Sequence, residues 1–136
     1  MGHRTVPHTA DLIVEAWAPT REECLVEAVS GLVEGCVDTT GAAPTETYPF
    51  QLEAGSDEQV LVALLEEVLY VFDALGEVPV RTHLSVASAG QLEGWFDVVG
   101  LEALPEAGSA PKGIARSGLV LDHDEAGWRC AVTVDV

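Results

Sequence analysis

Two places in this chain carry a full signal for starting a helix, and they constrain the fold more than any other feature. In Thr20-Arg21-Glu22-Glu23 the threonine hydroxyl can accept from the Glu23 amide while Glu23 reaches back, the reciprocal pattern of a capping box. Leu25, Ala28, Val29, Leu32, Val33 and Cys36 then recur at helical spacing. Ser56-Asp57-Glu58-Gln59 repeats the signal, and Leu61, Leu64, Leu65, Val68, Leu69 and Phe72 follow as one broad apolar stripe. Gly76 is a suitable stop. Glu22-Glu23 and Asp57-Glu58 complement the positive helix starts, and Glu66-Glu67 marks a polar face.

The remainder reads as strands. Asp11 to Trp17 precedes the first helix, and Thr45 to Ala54 lies between the two, with Pro49 marking an edge or a bulge. Val78, Val80, Thr82, Leu84 and Val86 alternate, and Ser88-Ala89-Gly90-Gln91 turns into a partner carrying Leu92, Trp95, Phe96 and Val98. Ile114 to Leu121 and Trp128 to Asp135 form the last pair, joined through Gly127. The order β-α-β-α-β-β-β-β predicts an α+β fold, with two helices packed on one face of a mostly antiparallel sheet. At 136 residues the chain is expected to form a single domain over 1–136. Gly100 to Gly113 is a long irregular segment, the kind that is often functional.

Charge narrows the function. Six Lys and Arg against 23 Asp and Glu give a net charge of −17. Direct nucleic-acid binding and acidic membrane surfaces are both disfavoured, because each needs a basic face. Cations and basic protein surfaces are favoured. No apolar run approaches the roughly 20 residues of a membrane span, and the start lacks a signal-peptide core, so a cytoplasmic location is expected. Cys24 and Cys36 flank a predicted helix about 18 Å long, too far apart for a disulfide. Buried free thiols are the expected state of all three cysteines. Phosphate-loop, GxGxxG, GxSxG and HExxH patterns are absent.

The ends of the chain hold the informative residues. Asp11 opens the first predicted strand after His8-Thr9-Ala10, and Asp135 closes the last, followed by Val136. If those strands are antiparallel neighbours, two side-chain carboxylates and a chain terminus share one corner. Such charges repel unless protons or a cation neutralise them, and an all-oxygen set selects calcium, magnesium or manganese. On spacing alone, the plainer reading is two solvated acids at strand ends. His8 reads either as a ligand or general base, or as a histidine bonded to nearby backbone. Lys112 reads as a lone cation on the irregular segment, plainly a solvated amine.

With these residues in view, the chain resembles the archease family, small proteins that assist RtcB-type RNA ligases. His8-Thr9-Ala10-Asp11 is similar to the family's opening HTAD, and Ala16-Trp17-Ala18-Pro19-Thr20-Arg21-Glu22-Glu23 to its AWGxTxEE segment. Leu69-Tyr70-Val71-Phe72-Asp73 resembles its LYxFD helix end, and Val132-Thr133-Val134-Asp135-Val136 its VxVD[VI] ending. Pro111-Lys112-Gly113-Ile114 aligns with VKA[VI], with Pro and Gly in place of Val and Ala. Ala115-Arg116-Ser117 stands where the family reads TY[HS], and the preceding loop lacks its histidine and TE.

The resemblance implies a divalent-metal site, calcium foremost and manganese or magnesium as alternatives, at Asp11, Asp135 and the Val136 carboxylate. It implies a partner or functional-loop role for His8 and Lys112. It also implies that the protein is not an enzyme. Its role would be to help an RtcB-type ligase become guanylylated and turn over in tRNA splicing or RNA repair. Two other classes stand beside this reading. One is a general interaction or chaperone-like module whose metal only staples the termini. The other is a metal-dependent hydrolase using Asp11, Asp135 and His8.

Overall fold

Both helix signals are used. A computed structural model describes residues 1–8, 11–53, 55–87, 90–105 and 109–136, with Pro7 and His8 described by backbone alone. Helix α1 spans Arg21–Glu34 and α2 spans Asp57–Leu75. At α2 the capping box closes on both sides: the Gln59 amide donates to Ser56 Oγ at 3.2 Å, and the Ser56 amide donates to Gln59 Oε1 at 2.9 Å. At α1 the Glu23 amide donates to Thr20 Oγ1 at 3.2 Å, while the Glu23 carboxylate takes the Thr20 hydroxyl at 2.8 Å. Gly76 ends α2 at φ 61°, a left-handed conformation open to glycine at little cost.

Among the described residues, seven strands form two antiparallel sheets. β1 (Gly2–His8), β2 (Asp11–Ala18), β7 (Gly127–Asp135) and β6 (Gly113–Asp124) lie in the order β1-β2-β7-β6. β3 (Glu46–Leu52), β5 (Leu92–Gly100) and β4 (Glu77–Val86) form the second sheet, in the order β3-β5-β4. The α+β class is as the sequence predicts. Two details differ from it: β1 adds a strand, and the strands divide between two sheets instead of one. Pro49 lies on β3, an edge strand, where its missing N–H costs no ladder bond.

Each helix packs against strands of both sheets. α1 meets β1, β2 and β7 as well as β4, and α2 meets β6 as well as β3 and β4. Val60, Val62 and Val71 are buried beyond the predicted stripe of α2, and Val60 and Val71 belong to the common core. Fully buried Leu25, Leu32, Leu61, Leu64 and Leu65 join β2 residues Val14 and Ala16 in one continuous core. Each such leucine contributes roughly 2 kcal/mol of transfer free energy. Gly31 permits the close approach of α1 to its sheet, because a Cβ there would lie 2.8 Å from Val14 Cγ1 and 3.3 Å from His3 Cβ.

Cys24, Cys36 and Cys130 are free and buried, as expected, and burial pushes the Cys36 thiol up to about 11. The 100–113 segment contains one 3-10 turn, Leu101–Ala103. Of that segment, Glu106, Ala107 and Gly108 lie outside the described residues, as do Thr9, Ala10, Ala54, Ser88 and Ala89 elsewhere.

Candidate metal corner and family

Core packing decides where the two aspartates go. Leu12 on β2 and Val134 on β7 are paired and buried against the helices. Because strand side chains alternate, Asp11 and Asp135 are turned to the opposite face. β2 and β7 are antiparallel neighbours, as the sequence reading requires, and Asp11 stands directly across from Asp135. Opposed residues in such a ladder have Cα atoms about 4.5–5.5 Å apart, close enough for two carboxylates to share one hard cation.

The row continues on both sides. The His8 backbone pairs with Asp11, and Gly113 pairs with Asp135. Four strands therefore place His8, Asp11, Asp135 and Gly113 in one cross-strand line at one end of the sheet. The Lys112 amide donates to the Asp135 carbonyl at 2.7 Å, which brings the exposed Lys112 next to the line. Val136 follows Asp135 and is half-buried against the core. The backbone thus gathers all five residues singled out in the sequence. Of the HTAD motif, Thr9, Ala10 and the His8 side chain lie outside the described residues.

Gly113 is the member of the row that sequence reasoning did not weigh. A Cβ there would sit 3.5 Å from Asp135 Oδ2, so this carboxylate lies directly beside the glycine. The sequence reading ends the irregular segment at Gly113 and aligns it with the alanine of the family's VKA[VI], whereas in the structure Gly113 opens β6.

The paired Asp11 and Asp135 carboxylates are oxygen donors, the type that a hard divalent ion takes. Among the described residues, no three His, Cys, Asp or Glu side chains group closely enough to hold a metal by themselves.

His3, elsewhere on β1, bridges to α1. Its Nδ1 lies 2.8 Å from Glu27 Oε1, and its Nε2 meets Glu34, both on α1. Burial lowers its pKa, but the hydrogen bonds to Glu27 and Glu34 outweigh burial and hold it above the ordinary histidine value. Nothing in the periodicity of Gly2 to His8 marks this bridge.

Residues 3–136 match the family model described as the Archease protein family (MTH1598/TM1083). A Mycobacterium tuberculosis protein described as probable protein archease is 44% identical over 135 residues, covering 99% of this chain and 75% of that protein. Protein 1598 of Methanobacterium thermoautotrophicum has the same fold at TM-score 0.76 and 17% identity, with 99% of each chain covered. A Thermotoga maritima structure described as an archease, possible chaperone, aligns at TM-score 0.67 and 20% identity over 96% of this chain and 94% of that one. The family match and the mycobacterial relative both run through the cross-strand row at Asp11 and Asp135, and this chain belongs to the archease family.

Proposed function

We propose that this protein is a cytoplasmic, metal-binding accessory protein that activates an RtcB-type RNA ligase, promoting its guanylylation and turnover in tRNA splicing or RNA repair. The observation that carries the reading is the pairing of Asp11 with Asp135, which unites the two motifs behind the family resemblance. Asp11, Asp135 and the Val136 carboxylate would hold the ion, calcium foremost, with manganese or magnesium as alternatives. Once bound, it would cancel the local repulsion and present positive charge to a phosphate or a partner carboxylate.

This chain's own residues supply the rest. Its charge of −17 suits the cationic surface of a protein that handles nucleotides and RNA. Lys112, whose amide bonds the Asp135 carbonyl, and His8, whose backbone pairs with Asp11, would meet the partner there. The protein forms no bond in RNA itself; its role is to bind the ligase and order a metal beside it.

The test is transfer of labelled GTP to the RtcB-type ligase of the same organism, with manganese, followed on a denaturing gel. Substoichiometric protein should raise ligase labelling and ligation turnover, and Asp11→Ala should abolish the increase. Equal labelling with and without the protein would sink the proposal.

The meeting of four strand ends at the row favours one alternative, an interaction or chaperone-like module in which metal only fastens the sheet. In that case Asp11→Asn would weaken stabilisation by metal and leave ligase labelling unchanged.

A further inference from the structure

A second surface, remote from the aspartate row, combines an open strand edge with an acidic wall. β4 ends the order β3-β5-β4, so among the described residues it is paired on one side only. A groove of about 490 Å³ runs between β4 residues 82–85 and the first two turns of α1. Glu22, Glu23 and Glu27 line the helix side. Trp95, 44% exposed, lies on the sheet side and stacks on His83 with centroids 4.4 Å apart and planes 17° from parallel. His83 is held in turn by Asp97 at 2.8 Å.

The acids are fixed in place. One Glu22 oxygen accepts from Arg21 at 2.8 Å, one from Glu23 accepts the Thr20 hydroxyl at 2.8 Å, and one from Glu27 meets His3 at 2.8 Å. The hydroxyl leaves the Glu23 charge uncompensated, and Arg21 is shared with Asp57 at 3.0 Å. The wall therefore stays negative, with its carboxylates already positioned.

We propose that this groove receives an extended, basic segment of a protein partner, which adds to β4 as a further strand and sets arginine or lysine side chains against Glu22, Glu23 and the Trp95–His83 stack. An unpaired edge offers main-chain donors and acceptors to any extended chain, which gives affinity without sequence preference. The acidic wall supplies the selection. It repels a second copy of a chain carrying −17, along with nucleic acid and acidic lipid, and admits a cationic segment. The exposed Trp95 adds an aromatic surface suited to a guanidinium. Residues 82–85 span about 13 Å, so the segment contributes about four residues. Assigning the segment to the ligase rests on the proposed function, whereas the groove's preference for a basic strand does not.

The probe is an acetylated, amidated hexapeptide alternating arginine with valine. Its controls are the glutamate counterpart and an arginine peptide with alternate backbone N–H groups methylated. NMR of the whole protein should show shifts at the Trp95 indole and at amides 82–85, with new exchange protection on the outward amides of β4. Glu22→Gln with Glu23→Gln should weaken binding about fivefold or more, while glutamine still closes the helix cap. Trp95→Ala should weaken it as well. The glutamate and methylated peptides should leave β4 unprotected.

The ligase assay separates this inference from the proposed function. Asp11→Asn should lose stimulation and keep peptide binding. The double glutamine variant should need more protein for half-maximal stimulation while reaching the same maximum. Shifts scattered over the acidic surface, indifferent to the glutamine changes and to N-methylation, would overturn the inference. Protection of 82–85 that grows with protein concentration and needs no peptide would assign the edge to a second copy, and would overturn it as well.

Discussion

Asp11→Asn should change the sign of its effect on stability when metal is added. Asp11 and Asp135 are directly opposed on one sheet face. Like charges in that relation cost about 0.5 kcal/mol, and asparagine removes one of them without changing side-chain size. At this chain length 1 kcal/mol moves the Tm by about 3 °C, so in chelator the variant should melt about 1.5 °C higher than wild type. With calcium at about one hundred times Kd, the wild type gains about 2.7 kcal/mol. If asparagine weakens binding about a hundredfold, the variant gains only about 0.4 kcal/mol at the same calcium. Adding back its relief of repulsion leaves it about 1.8 kcal/mol, or about 5 °C, below wild type. Calorimetry of both proteins in chelator and in calcium checks the crossing. Curves that shift equally with calcium would refute the shared site, and a variant less stable in chelator would refute the repulsion.

Two other outcomes follow from packing and titration. The His3 pKa is raised in the fold, so its bridge to Glu27 and Glu34 should stabilise fully below the ordinary value of about 6.5 and fade as pH rises through the folded value. The Tm difference between wild type and His3→Gln should therefore shrink between about pH 6 and pH 9, and a constant difference would refute the bridge. Gly31→Ala should destabilise by about 1–3 kcal/mol in urea unfolding. The gain of about 1 kcal/mol in helix propensity is outweighed by the 2.8 Å approach of the new Cβ to Val14 Cγ1. An unchanged urea midpoint would show that the helix–sheet distance relaxes freely.

The helices were legible because their signals are local. Ser56 and Gln59 satisfy each other within one turn, and Gly76 takes the left-handed conformation that only nearby chain demands. The aspartate pairing was legible because Asp11 and Asp135 each abut an alternating apolar run whose inward residues leave them no other face. β1 was not legible. His3, Arg4 and Pro7 interrupt its alternation, and His3 is drawn to the core side by Glu27 and Glu34 on a distant helix. The division into two sheets was hidden for a similar reason. Val60 and Val71 are apolar in either arrangement, and only the packed molecule shows that α2 meets strands of both sheets. The groove on β4 joins residues about 60 positions apart in sequence, a contact for which single-chain spacing carries no signal.

The place of β7 has a consequence for how the molecule is made. It lies inside the four-stranded sheet, between β2 and β6, yet it follows the other six described strands in sequence. During synthesis, which releases roughly 5–20 residues each second, β1 and β2 leave the ribosome early and wait beside α1 with one side of β2 unpaired. Neither the sheet nor the line through Asp11 can close until residues 127–135 arrive. A nascent chain halted anywhere before them offers one acid where the finished molecule offers two. Under the proposed function, metal capture would have to wait until residues 127–135 have paired with β2.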